Sequence, residues 1–167
     1  VAAFADCNKI EEVTIPASVT EIGAKAFATT AWNSRLTKVV LPDGLTTIGD
    51  EAFHFCRNLA EITIPATVTS IGKRAFGSCY ALKCITIPDG VTSIEYGAFH
   101  YSGLESITIP DSVTSIGDSA FRNTSITSIT IPDSVVKIGQ QVFENCKKLE
   151  SVTIGKGLRE IDYTLFN

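Results

Sequence analysis

Two histidines, five cysteines and a column of aspartates are the side chains in this 167-residue sequence that could do chemistry. A Ser or Cys hydrolase needs a His within hydrogen-bond reach of its nucleophile and an acid to orient that His. His54 and His100 are the only histidines, and each directly follows a Phe. They stand two repeats apart, so at about 4.8 Å per repeat their expected separation is roughly 10 Å. Neither sits in a sequence characteristic of a catalytic site. They read as surface or loop-packing residues.

Cys7, Cys56, Cys79 and Cys146 each stand three residues after a Phe. No Cys-x-x-Cys pair is present, so the spacing of a zinc site is missing. In adjacent coils Cys56 and Cys79 would be near enough for a disulfide. Thr30, Ser102 and Thr124 occupy the same column, however, which points to a demand for a small polar residue and to buried free thiols. Cys84 precedes a strand Ile at an outward position and is the expected accessible thiol. Asp43, Asp89, Asp111 and Asp133 each follow a Pro. Carboxylates at coil spacing could hold Ca²⁺, but turn chemistry accounts for each of them. No catalytic, cofactor-binding or metal-binding residue is assigned.

The elements that position these residues recur. Phe4, Phe27, Phe53, Phe76, Phe99, Phe121, Phe143 and Phe166 follow one another at intervals of roughly 22–23 residues, with a single longer interval of about 26 residues between Phe27 and Phe53. All six prolines (Pro16, Pro42, Pro65, Pro88, Pro110, Pro132) fall in one column of the unit Leu-x-x-Ile-x-Ile-Pro-x-x-Val-x-x-Ile-Gly-x-x-Ala-Phe-x-x-Cys. Such a period marks a repeat protein. In "EITIP" the apolar Ile62 and Ile64 alternate with Glu61 and Thr63, which predicts a strand with one buried face. Pro, lacking an N–H, ends that strand, and is expected at the first central position of a type I turn. "VTSI" predicts a second short strand, and the Gly after it a corner at positive φ. "DSAF" and "KRAF" predict a helical turn that sends Phe inward. One unit cannot close a core, so the coils must stack, with the Phe column as a spine.

This unit resembles the BspA-type leucine-rich repeat over essentially the whole chain. The resemblance implies a leucine-rich-repeat solenoid, right-handed and β-rich, of parallel strands and short helical turns, with about seven coils of roughly 22–26 residues each. It also implies a place among large bacterial cell-surface or secreted proteins associated with adhesion, without cofactors. The expected organisation is a single solenoid domain over 1–167, cut from a longer protein. The sequon Asn123-Thr124-Ser125 would be incidental in such a protein. The segment "ATTAWNSR" is longer than its counterparts and is expected to bulge from the stack.

Composition limits the partners. A formal charge of −4 and a pI near 5.2 leave no basic stripe for nucleic acid, and no apolar run is long enough to span a membrane. The outward strand positions form a ladder, Thr63, Thr86, Thr108, Thr130 and Thr153, with Lys38 and Glu61 at its charged N-terminal end. That ladder is the candidate ligand face, with Trp32 as a candidate aromatic anchor; Phe55, Tyr80, Tyr96 and Tyr101 lie on the other sides. The functional expectation is a non-enzymatic module that recognises an extracellular protein or glycan of a host or neighbouring cell. The alternative is a spacer that projects another domain from the cell surface.

Overall fold

A computed structural model describes residues 3–30 and 34–166; Trp32, and with it much of the expected bulge, lies outside the described residues. Two series of parallel strands alternate along the chain. The first comprises β1 (Glu12–Thr14), β3 (Lys38–Val40), β5 (Glu61–Ile62), β7 (Cys84–Thr86), β9 (Ser106–Thr108), β11 (Ser128–Ile131) and β13 (Ser151–Ile154). The second comprises β2 (Glu21–Ile22), β4 (Thr47–Ile48), β6 (Ser70–Ile71), β8 (Ser93–Ile94), β10 (Ser115–Ile116) and β12 (Lys137–Ile138). Paired strands lie one coil apart, in the register that the repeat dictates: Thr86 opposite Thr108, Thr130 opposite Thr153, Ile48 opposite Ile71.

Alternation explains the burial. Ile85 and Ile129 point into the core while Thr86 and Thr130 point out. Val68, Val113 and Val135 are fully buried after the proline turn. The predicted spine is present: consecutive Phe rings stack nearly parallel from Phe4 to Phe166, with centroids 5.1–5.9 Å apart. The four inner rings Phe53, Phe76, Phe99 and Phe121 are essentially inaccessible, whereas the end rings Phe4 and Phe166 are 41% and 49% exposed. An inner Phe has a ring on each side. An end Phe has only one.

Three local expectations are corrected. The Phe-bearing segment is not helical, and no helix occurs among the described residues. The residue two before Phe (Lys25, Glu51, Arg74, Gly97, Ser119, Gln141) and the residue two after it (Asp6, Phe55, Ser78, Tyr101, Asn123, Asn145) have φ between 53° and 62°. Left-handed residues at this spacing stop a helix from propagating. The segment instead makes i→i+3 turns, as in Ala26 N–H to the Gly23 carbonyl. It is also tied to the next coil by a ladder that includes Phe53 N–H to the Ala75 carbonyl and Phe76 N–H to the Ala98 carbonyl, both 2.9 Å.

The second correction concerns the glycine after each VTSI-type strand. Gly97 is the one glycine with positive φ among the described residues, and it lies in the left-handed column instead. Room is short at particular coils of the other column: a Cβ at Gly72 would come 2.5 Å from the Asp50 backbone N, and one at Gly49 2.7 Å from that of Ala24, whereas Glu95 and Asp162 occupy the column in two other coils. At Gly23, in the first coil, a Cβ would meet nothing within 4 Å. Third, Pro opens its turn from the first corner, since its carbonyl accepts the N–H of the Val three residues on (Val68 to Pro65, Val91 to Pro88, each 3.0 Å).

Candidate functional site

The fold disperses most of the residues that could do chemistry and brings His54 and His100 together. Cys56 and Cys79 are free, and each Sγ donates to a Phe carbonyl of the preceding coil, Phe27 O and Phe53 O, at 3.2 Å. Thr124 of the same column uses its hydroxyl on the Phe121 carbonyl at 2.9 Å, whereas the Ser102 hydroxyl is buried without a partner. Burial pushes the Cys56 thiol up to about 12 and the Cys79 thiol well above its ordinary value, so neither supplies thiolate at neutral pH. Cys84 is exposed as expected, but Cys7, expected among the buried thiols, is exposed as well, because it lies in the first coil, where Phe4 too has a neighbouring ring on one side only.

Among the described residues no group of three His, Cys, Asp or Glu side chains could hold a metal ion. Asp133 is engaged across coils by the Lys156 N–H at 2.7 Å. The amide nitrogen of the sequon's Asn123 is buried. His54 and His100 stand much closer than two coil spacings would place them, because their ring centroids are 5.6 Å apart.

The strand face is open, and it is where the fold gathers the predicted ligand-face residues. Thr63, Thr86, Thr108, Thr130 and Thr153 are all exposed. Three cavities overlap end to end across this face. The first, about 380 Å³, is lined by Lys38, Val40, Glu61 and Thr63. The second, about 330 Å³, shares Ile62 and Thr63 with it and adds Cys84 and Thr86. The third, about 640 Å³, shares Ser106 and Thr108 with the second and extends over Thr130 and Thr153 to Lys156. Together they form one trough crossing the strands β3 to β13.

Charged strand side chains line the trough at its N-terminal end, and charges at the other end come from the turns. Lys38 Nζ lies 3.0 Å from Glu61 Oε2, and that hydrogen bond raises the Lys38 ammonium above its ordinary range. From Ser106 onward the outward strand positions are Ser and Thr, and the ends of the floor are Asp111, Asp133 and Lys156. This floor donates and accepts hydrogen bonds over several coils and holds no nucleophile–base pair.

A second cluster lies at the Phe-bearing turns, where the Arg57 guanidinium sits 5.4 Å from the Phe55 ring centroid and 5.1 Å from that of Tyr80. Arg74 lies 4.9 Å from the Tyr96 centroid and donates to its hydroxyl at 3.1 Å. The sequence marked these aromatics, but not their arginine partners. The shared four-residue offset of Arg57 and Tyr80 from their Phe could have paired them.

A stack of parallel strands whose outward face is a trough and whose interior is a Phe spine defines a leucine-rich-repeat solenoid. The chain belongs to the BspA type leucine rich repeat region family, whose profile matches in six copies over residues 29–146 and 114–167. Its fold is similar to that of a leucine rich cell surface protein from Faecalibacterium prausnitzii, at 32% identity and TM-score 0.64 over 87% of this chain and 48% of that one. It is also similar to a leucine-rich repeat protein of T. pallidum, at 30% identity and TM-score 0.72 over 89% of this chain and 69% of that one. A Bacteroides ovatus leucine-rich repeat protein matches at 28% identity and TM-score 0.54, over 92% and 57% of the two chains. This chain thus spans about half the length of the F. prausnitzii protein. No curated protein matches the sequence.

Proposed function

We propose that this chain is a non-enzymatic recognition module of a bacterial cell-surface or secreted protein. Its strand-face trough receives an extracellular protein or glycan of a host or a neighbouring cell. The observation that carries this reading is the continuity of the trough from Lys38 to Lys156. A ligand that lies along the solenoid axis meets hydroxyls from successive coils in register, and a rigid scaffold gives up little freedom when it binds. The description of the F. prausnitzii relative as a cell surface protein supports the location.

Binding of the chain to a panel of extracellular-matrix proteins, serum proteins and glycans tests the proposal. The variant Thr86→Lys/Thr108→Lys/Thr130→Lys keeps the buried face of each strand and fills the trough with three cations. Recognition predicts a captured ligand and at least a roughly tenfold weaker affinity in the variant, about 1.4 kcal/mol. A chain that captures nothing from the panel, or a variant that binds equally well, would favour a spacer.

A further inference from the structure

One column beside the spine carries titratable groups that lie outside the trough. The residues directly after the spine Phe are, from the second coil on, Ala28, His54, Gly77, His100, Arg122 and Glu144. Gly77 has no side chain, and the two imidazoles close over it with their planes at 27°. A Cβ at Gly77 would lie 2.6 Å from His100 Nδ1 and 2.9 Å from His54 Cδ2. His100 Nδ1 donates to the Gly97 carbonyl at 2.7 Å, which leaves its lone pair on Nε2. His54 Nδ1 is 3.8 Å from Glu51 Oε2, and only 14% of its side chain is exposed.

The charges around the pair are unbalanced. Lys25, Glu51 and Arg74 act on His54, and Glu51, Arg74 and Arg122 act on His100. Three cations therefore face the pair against the single carboxylate of Glu51, and Arg122 is itself held by Glu144 at 2.8 Å. A proton on either ring places a cation in a half-buried site against a second imidazole and Arg74. Separation of the rings, with entry of water, relieves it.

We infer that the His54–Gly77–His100 stack is an acid-sensitive latch, which holds the turns carrying Phe53, Phe76 and Phe99 closed while both imidazoles are neutral and loosens them on protonation. Burial is the chief cause that lowers both histidines, and it takes His54 to about 4. The unfolded imidazole, near 6.5, therefore binds a proton that the closed form refuses. Stability from the latch is complete above about pH 6.5 and is lost as the pH falls toward about 4, where the closed form at last accepts the proton. Within that window the opening constant rises up to roughly tenfold per pH unit through His54, and His100, lowered as well, acts in the same direction.

Amide hydrogen exchange of the whole chain between pH 7 and pH 4, expressed as protection factors, reads the opening at the Phe53, Phe76 and Phe99 amides. The Gly139 amide, bonded to the Ile116 carbonyl at 2.8 Å in the second strand series, is the control. The latch predicts a loss of at least roughly tenfold in protection at the three Phe amides between about pH 6.5 and pH 4.5, little change at Gly139, and a flat profile for His54→Gln/His100→Gln. Titration of the two imidazoles by NMR in the unsubstituted chain tests it independently of whether that variant folds. Either ring titrating at or above its ordinary value, equal loss of protection at Gly139, or a loss that persists in the variant would overturn the latch.

Discussion

A histidine two repeats from another stands beside it because the residue between them is glycine. Counting repeats gives the spacing of the backbone but not the direction a side chain takes when its neighbour leaves a gap. The ring centroids therefore meet at 5.6 Å, well inside the distance that two strand spacings would set. The cysteines show the opposite case. Thr and Ser in their column point to a small, polar and buried environment. That holds for Cys56, Cys79 and Cys146, with their Sγ bonds to Phe carbonyls, and fails for Cys7 and Thr30, both exposed in the first two coils. Alkylation of the native chain at neutral pH is therefore expected to modify two thiols rapidly, Cys7 and Cys84, and to reach Cys56, Cys79 and Cys146 only on unfolding. Mass spectrometry after a timed pulse of iodoacetamide checks this; rapid labelling at Cys79 would show that the Phe-bearing turns open in the native protein.

The elements were legible where composition forces them and illegible where the tertiary structure overrides local preference. Alternating Ile and Thr, closed by a Pro, predicts each main strand whatever surrounds it. The Phe-bearing turn carries no such local mark. Charged and polar residues such as Lys25, Glu51 and Gln141 adopt left-handed φ there because contacts with the next coil over-determine them, as in Lys25 N–H to the Asp50 carbonyl and Glu51 N–H to that of Lys73.

Gln141 is exposed with φ of 56°. Replacing it by Gly should raise stability by about 0.5–1 kcal/mol, and replacing it by Val should lower stability by roughly 1–2 kcal/mol. The glycine column makes a contrasting case. Gly72→Ala forces a Cβ onto the backbone of the coil before it and should cost roughly 1–3 kcal/mol, while Gly23→Ala should change stability by less than about 0.5 kcal/mol. Denaturant midpoints of the four variants measure both effects, and equal behaviour of Gly72→Ala and Gly23→Ala would contradict the packing account.

At the scale of the molecule, what repeats is scaffold and what varies is surface. The spine, the proline turns and the inward Ile and Val residues recur because each coil must present the same face to the next. The outward ladder is free of that demand, so the sequence could place the trough and not identify what fills it. Cys84 gives access to this question, since it is an exposed thiol on the floor between Thr63 and Thr108. In a Cys7→Ser background, a bulky maleimide on Cys84 obstructs the trough without altering the core. The most direct measurement is the affinity of that adduct, against the unmodified chain, for whichever extracellular protein or glycan the panel captures. The trough account predicts at least a roughly tenfold loss on modification and slower alkylation of Cys84 when the ligand is bound. Unchanged affinity with a fully modified Cys84 would place recognition elsewhere on the solenoid.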